Sequence, residues 1–401
     1  MSERREFRIA TFVEAAKAGL SAVTFLILAA GFGTEQYGEY VLWAALAAIL
    51  LPLATVGMNW WIQPMVARNS GQRIAMSLVI SLLLGVLLIT TVTTAVALAT
   101  DRDLFIALGV LVIEGLVYPV CSFIALGDLA SGRIRTYLIV SVIVPATKLG
   151  ISFLSFIVFG PNMIFWVLTV GIGGVFLLII LLAREGIRSG WAFSRLELDW
   201  LRRGIPFGLV GSISATSDNI DRISISWSLN DFETGVYGAG AKLVSFAMLP
   251  ARAIGVVVYP KYFELTNTND QRGLRKLAWK TVLKGLPRSF IAIILTICLA
   301  HILQITILSS YDNLMIYVAI LSLLVPLKSI QYAMGDVLYA SNRAKSRLLL
   351  ASLSAVLSLS AISFSASIFG GVGAAVAAVI AVAISTTIYI SFVEKCVFRS
   401  E

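Results

Sequence analysis

The 401-residue sequence holds one histidine, His301, and three cysteines, Cys121, Cys298 and Cys396. A single imidazole cannot anchor a histidine-based metal site, and His301 reads as part of a helix packed against its neighbours. The cysteines are scattered without C-x-x-C spacing, which leaves neither a disulfide framework nor a zinc site. Charged residues make up only 13% of the chain, against about 25% in soluble domains. No GxxxxGK[ST] phosphate loop occurs, and no acid–base–nucleophile set points to an enzyme. The sequence therefore implies no catalytic residue, no metal and no cofactor.

What is abundant is apolar: 58% of residues are hydrophobic and the mean hydropathy is +0.91. At roughly 20 apolar residues per membrane span, the chain accommodates about a dozen spans with short loops and no soluble catalytic domain. An ATP-driven pump, a large glycosyltransferase and a sensor kinase are disfavoured on that ground. The formal net charge of +9 does not indicate nucleic acid. Lys and Arg fall in short clusters between apolar runs, as the topology of a bilayer protein requires.

Apolar runs and polar punctuation predict twelve spans, near 9–32, 38–66, 74–99, 104–130, 136–159, 162–183, 204–229, 233–262, 284–308, 313–341, 347–369 and 372–394. The first carries Glu14 and Lys17, so a cleaved signal peptide is not expected there. Loops after odd-numbered spans hold only Arg102. The other loop and terminal cations, Arg133, Arg184, Lys276 and Arg343 among them, fall on the opposite side. This bias predicts that both termini face the cytoplasm. The expected fold is an all-α integral membrane protein of twelve helices in two six-helix lobes. Residues 1–183 form the first lobe and 204–401 the second, joined by an interfacial cytoplasmic connector at 184–203.

An internal repeat accompanies that division. TEQYGEYVLWAALAAILLPLATVGMNWWIQP parallels FETGVYGAGAKLVSFAMLPARAIGVVVYP, so that Gly38 and Tyr40 match Gly235 and Tyr237. LASGRIRTYL parallels YASNRAKSRL, and the same offset sets Gly160 on Gly370. Halves with an even number of spans share one orientation, which places their pseudo-symmetry axis along the membrane normal. Two such lobes are expected to enclose a cavity that opens to one side or the other.

Charges persist inside the predicted spans: Lys17, Lys148, Arg222, Lys242, Arg252 and Lys328, with Glu14, Glu114, Asp218, Asp221 and Asp336. A charge at the bilayer centre costs about 2.5–3.5 kcal/mol on insertion scales, so these groups must pair, face the protein interior or line a wet cavity. Helical spacing puts Glu14, Lys17, Ser21 and Thr24 on one stripe, and Lys148 with Ser141, Ser152 and Ser155 on another. Ser214, Asp218, Asp221 and Arg222 share a third stripe, Lys328, Gln331, Tyr332 and Tyr339 a fourth, and Glu114 aligns with Tyr118 and Cys121. One reading is structural ion pairing, Asp218 with Arg222 and Glu14 with Lys17. The other is a polar lumen, favoured because the cations spread over at least five helices. Lys and Arg in a lumen suit an anionic ligand such as a phosphate or carboxylate. The cations barely outnumber the acids, so composition alone does not establish that preference.

The stretch DNIDRISISWSLNDFETGVYGAGAKLVSFAMLPARAIGVVVYPKYFE resembles the corresponding region of bacterial polysaccharide-repeat-unit flippases. These form the polysaccharide-transporter branch of the superfamily that also contains the multidrug-and-toxin-extrusion exporters and the peptidoglycan lipid flippase. GFGTEQYGEYVLWAALAAILLPLATVGMN looks like that family's first-to-second-span region. GDVLYASNRAKSRLLL and FGGVGAAVAAVIA look like its tenth-to-twelfth-span region. The resemblance covers nearly the whole chain and is weakest over spans 3 to 6. It implies export by alternating access of an undecaprenyl-pyrophosphate-linked oligosaccharide across the bacterial cytoplasmic (inner) membrane. The product would feed O-antigen, capsule or exopolysaccharide assembly, with a polysaccharide polymerase and other assembly proteins as partners.

The family's Asp-Arg of span 7 maps onto Asp221 and Arg222. Cavity roles for Lys17, Lys148, Lys242, Arg252 and Lys328 follow from position within spans alone. The implied mechanism has Arg222, Lys242 and Arg252 contact the anionic head group while Lys17 and Lys148 close from the opposite lobe. Asp218, Asp221, Glu14 and Glu114 are the candidates for a coupling ion. Two alternatives are a cation-coupled exporter of small amphipathic drugs and a membrane-embedded polymerase or ligase. The first is kept open by Asp218, Asp221 and Glu114; the second is disfavoured by outward loops of a few residues.

The topology is testable by thiol labelling in a background whose three cysteines are replaced by serine. Asp103→Cys is expected to react with an impermeant maleimide added outside the cell, and Lys345→Cys only after the membrane is opened. Labelling of both from one side would contradict the predicted alternation.

Overall fold

A computed structural model describes residues 3–58, 74–189, 195–268, 270–341 and 343–398, and every regular element among them is a helix. The elements are α1 (Glu3–Ala54), α2 (Ile74–Thr100), α3 (Leu104–Val112), α4 (Tyr118–Ala130), α5 (Ile134–Phe159), α6 (Met163–Ser189) and α7 (Arg195–Ser228). There follow α8 (Asp231–Ala247), α9 (Leu249–Asn267), α10 (Gln271–Thr306), α11 (Leu314–Ser322), α12 (Leu324–Ala340) and α13 (Ala344–Cys396). The end of the predicted second span and the middle of the predicted connector, 59–73 and 190–194, lie outside the described residues.

Eight helical stretches among the described residues are long and apolar enough to cross a membrane. Large hydrophobic side chains such as Leu87, Val158, Phe176, Leu295 and Phe369 point outward from them. Such a surface belongs in lipid, where no apolar patch needs covering by protein. The chain is a multi-pass membrane protein. The three helices that are not long and apolar enough, α7 to α9, include the two that carry Asp218, Asp221, Arg222 and Lys242.

Two of the eight stretches are doubled. α1 and α13 run to 52 and 53 residues, and each is two helices joined at a glycine: Gly33 (φ 71°, ψ −178°) and Gly370 (φ 66°, ψ −161°). Gly160, which ends α5, adopts nearly the same conformation (φ 70°, ψ −170°). Positive φ with extended ψ is a region that only glycine enters at low cost. Gly160 and Gly370 are the pair aligned by the internal repeat, so both halves of the sequence break a helix with the same residue in the same conformation.

Three spans predicted as continuous are interrupted instead. A π-helical turn, Ile113–Val117, precedes Pro119; Met248 separates α8 from α9 ahead of Pro250; Leu323 separates α11 from α12 ahead of Pro326. Proline offers no N–H and its ring clashes with the carbonyl four residues back, so the preceding turn re-pairs. The Tyr118 N–H reaches Ile113 O, the Met248 N–H reaches Ser245 O at 3.3 Å, and the Leu323 N–H reaches Ile320 O at 3.1 Å. Pro52, Pro145, Pro206 and Pro287 lie within continuous helices.

Contacts divide the chain into two compact units, Met1–Gly33 with Leu42–Ala215, and Thr34–Val41 with Thr216–Glu401. In the first unit Phe32 packs edge-on against Phe156 and Trp166, at 5.1 and 5.7 Å between centroids. Trp166 is fully buried and donates its indole N–H to Ser152 Oγ at 3.0 Å. An ion cluster ties α4 to α6: Asp128, with no exposure, accepts from Arg133 and from Arg184, each at 2.7 Å, and Glu185 accepts from Arg184 at 2.8 Å. Sequence reasoning counts Arg133 and Arg184 only as loop charges; here they neutralise a buried carboxylate.

In the second unit the segment Thr34–Val41 crosses the start of α8 backbone to backbone. A Cβ on Gly38 would stand 1.8 Å from Asp231 O, and one on Gly235 would stand 2.0 Å from Thr34 O. These two glycines are the other pair that the repeat aligns. The alanines of the last span, Ala374, Ala375, Ala378 and Ala381, are buried, as a small-residue packing face requires.

Gly235→Ala is expected to force the crossing apart and lower stability by about 1–3 kcal/mol, the usual cost of overpacking. Gly150→Ala, where a Cβ meets nothing within 4 Å, is the control. Equal thermal unfolding of the two variants in detergent would contradict the crossing.

Candidate functional site

Residues three and four apart share a helix stripe, and on α7 this sets Asp218, Asp221 and Arg222 toward one cavity of the second unit. Its volume is about 90 Å³, and Lys328, Tyr332 and Ser358 complete its polar wall. Lys328 reaches it from α12. Only 8% of this residue is exposed, and its ammonium pairs with Asp218 Oδ1. Asp221 Oδ2 accepts the phenolic hydroxyl of Tyr237, a fully buried residue of α8, at 2.8 Å. Arg222 Nη1 donates to Asn219 Oδ1 at 2.7 Å, while its Nε is buried with no hydrogen-bond partner. A cavity of that size and polarity has room for several waters or a small polar group.

The expected Asp218–Arg222 pair is not formed. An ammonium as buried as that of Lys328 would be costly alone, and Asp218 answers it across helices, while Arg222 turns to Asn219 on its own helix. The stripe predicted for Lys328 also divides. Gln331 donates to Ser385 Oγ at 2.7 Å, and Tyr339 lies under Arg347, 3.9 Å from guanidinium carbon to ring centroid. Only Lys328 and Tyr332 of that stripe border the cavity. Asp336, another embedded acid, pairs with Arg347 at 3.4 Å.

Lys242 sits on α8 beside the cavity-lining Ala241, but its ammonium lies 5.8 Å from the Phe246 ring centroid and is not part of the wall. The side chains of Glu14 and Arg252 lie outside the described residues. In the first unit Lys148 of α5 forms an ion pair with Glu114 and stands 5.6 Å from the Tyr118 ring centroid. Lys17 of α1 stands 5.8 Å from the ring centroid of Tyr137. Glu114 belongs to the π-helical turn, and such turns recur at functional sites because they re-aim a side chain within a helix.

Sequence reasoning missed Tyr237, Asn219, Ser358 and Tyr137. Tyr237 was visible only as a repeat marker, because spacing rules relate residues of one helix and Asp221 is on another. Chemically, each unit holds an ammonium on one carboxylate, within reach of an aromatic or hydroxyl neighbour. Ammonium and guanidinium groups offer donors only, so a phosphate or carboxylate group that enters competes directly with the resident acid.

Tyr237→Phe removes the buried donor to Asp221 and is expected to cost about 1–3 kcal/mol, read by thermal unfolding of the purified protein. An unchanged midpoint would show that Asp221 does not depend on that bond.

No family model and no curated protein matches the chain by sequence. Solved structures do match. An inward-facing multidrug resistance MATE family transporter of the MOP superfamily superposes with a TM-score of 0.72, over 95% of this chain and 94% of that one, at 13% identity. The lipid II flippase MurJ in an inward closed conformation gives 0.67 over 98% and 88%, at 15% identity. The MATE multidrug transporter DinF-BH, in a ligand complex, gives 0.64 over 99% and 96%, at 16% identity. At such identities the likeness is one of fold: the chain has the helical architecture common to MATE transporters and the lipid II flippase.

Proposed function

We propose that the chain is an alternating-access flippase that moves an undecaprenyl-pyrophosphate-linked oligosaccharide across the bacterial cytoplasmic membrane for surface polysaccharide assembly. The observation that carries this reading is the set of cations at Lys17, Lys148, Arg222 and Lys328, on helices of a fold shared with a lipid II flippase. Twelve crossings fit it: the eight apolar stretches, with α1 and α13 counted twice for their breaks at Gly33 and Gly370, together with α7 and the α8–α9 pair. Both termini then lie in the cytoplasm, and residues 1–183 and 204–401 are the two lobes about a connector at 184–203.

In this mechanism the pyrophosphate takes over cations that carboxylates hold in its absence. Arg222 and Lys328 serve the second lobe, Lys17 and Lys148 the first, with Lys242 and Arg252 as further contacts. The polyprenyl tail stays in the bilayer while the glycan crosses and is handed to a polymerase. Asp218, Asp221, Glu14 and Glu114, relieved of or keeping their partners, are the groups that would sense a coupling ion. A second reading, export of small amphipathic molecules, draws on the likeness to the multidrug transporter DinF-BH and on Asp218, Asp221 and Glu114.

The test is translocation of lipid-linked oligosaccharide in a host that lacks its own flippase and makes a matching glycan. Wild type is expected to restore it, and Arg222→Gln at equal membrane abundance to lower it by about tenfold or more, the value of one charge-assisted hydrogen bond. Rescue by both proteins would remove Arg222 from the site. Efflux of a cationic dye without any rescue would move the function to the second reading.

A further inference from the structure

The carboxylates proposed to sense an ion already have occupants, and this bears on which ion they accept. We propose that Lys328 is a built-in cation: its ammonium holds the place on Asp218 that a free metal ion would take, so the cavity of the second unit is closed to Na⁺. The inference deepens the ion-coupling part of the function proposed above. It stands on the cavity alone, and its test reads cation binding without transport.

The cavity wall is balanced, with Asp218 and Asp221 against Lys328 and Arg222. Asp218 Oδ1 is taken by the Lys328 ammonium. Asp221 accepts from Tyr237 through Oδ2 at 2.8 Å and from the Arg222 backbone N–H through Oδ1 at 2.9 Å. Hard metal cations need several oxygen ligands at once; here three of the four carboxylate oxygens are engaged, and the Asp218 side chain, 44% exposed, keeps only its Oδ2 open. Hydroxyls of Ser217, Ser358 and Tyr332 border the same space, so the wall has oxygen enough for a cation once the ammonium is gone.

Charge decides the rest. A metal ion bound at Asp218 would lie about 4 Å from the ammonium, and at a protein-like dielectric that repulsion weakens binding by about a thousandfold. Lys328 is only 8% exposed, so its ammonium is held in the cavity beside Asp218, the more exposed partner of the pair. Loss of the ammonium leaves one uncompensated negative charge facing a ring of hydroxyls. Lys328 is thus the specificity determinant of the cavity. Its ammonium stays open to an anionic ligand but shuts out the metal.

Purified protein in detergent is titrated with NaCl against choline chloride at constant ionic strength, with thermal unfolding and radioactive sodium retention as readouts. Wild type and Lys328→Arg are expected to show no sodium-specific stabilisation. Lys328→Ala and Lys328→Gln are expected to show a saturable one, about a thousandfold tighter than any response of wild type, and Asp218→Asn added to either should abolish it. Saturable sodium binding by wild type that Asp218→Asn removes would overturn the proposal. So would monodisperse Lys328→Ala and Lys328→Gln proteins that ignore sodium. If neither variant is monodisperse, sodium retention by wild type decides alone: stoichiometric binding refutes the built-in cation and none supports it. Neither outcome depends on whether the chain rescues oligosaccharide translocation.

Discussion

A charge carried into the dry part of a bilayer has to bring its partner with it. That constraint organises the interior of this protein. Lys328 is held by Asp218, Lys148 by Glu114, Arg347 by Asp336, and Asp221 by the hydroxyl of Tyr237. Three of these four contacts join different helices, Asp336–Arg347 included, and Glu114–Lys148 joins a π-helical turn to α5. Buried pairs return little net stability, because desolvation offsets most of the Coulomb attraction, yet removing one partner is expensive. Their effect is to specify which helices meet. They also leave the cations exchangeable, since an ammonium offers donors that an incoming anion can take in place of the carboxylate.

The backbone is shaped by a second, independent constraint: where the intrahelical ladder fails. Gly33, Gly160 and Gly370 enter a region of φ and ψ closed to other residues, and they stop or fold helices outright. Pro119, Pro250 and Pro326 disturb the turn before them without ending the helical direction. One of these disturbances carries Glu114 and another lies at Met248, which borders the cavity of the second unit. The irregular turns therefore fall where the polar groups are, and the outward apolar faces of α2, α5 and α6 contribute lipid-facing surface.

Much of this was legible in the sequence. Apolar runs located nearly every helix, because lipid-facing surface leaves a long, uniform signature. Helical spacing placed Asp218, Asp221, Arg222 and Lys328 among the residues of a polar interior, and all four border one cavity. The pairing was not legible. The i,i+4 rule knows only its own helix, so it joined Asp218 to Arg222, whereas the buried ammonium of Lys328 outweighs a same-helix neighbour. Tyr237 was hidden because a neutral aromatic in an apolar span carries no mark of the hydrogen bond it makes. The cluster of Asp128 and Glu185 with Arg133 and Arg184 was hidden for a different reason: loop cations serve topology and packing at once, and composition reports only the first. The prolines stand in the sequence, yet Pro119, Pro250 and Pro326 accompany interruptions while Pro52, Pro145, Pro206 and Pro287 do not.

The claim that embedded charges act as interlocked pairs is tested most directly by a double-mutant cycle of Lys328→Met and Asp218→Asn, read as unfolding free energy in one detergent. Asp218→Asn leaves the buried Lys328 ammonium uncompensated and should cost about 3 kcal/mol or more, whereas Lys328→Met leaves a carboxylate that is 44% exposed and should cost less. The double variant replaces both charges and should recover most of that loss, giving a coupling energy of about 2–3 kcal/mol. Additive losses, with no coupling between the two positions, would contradict the pairing on which the cavity is built.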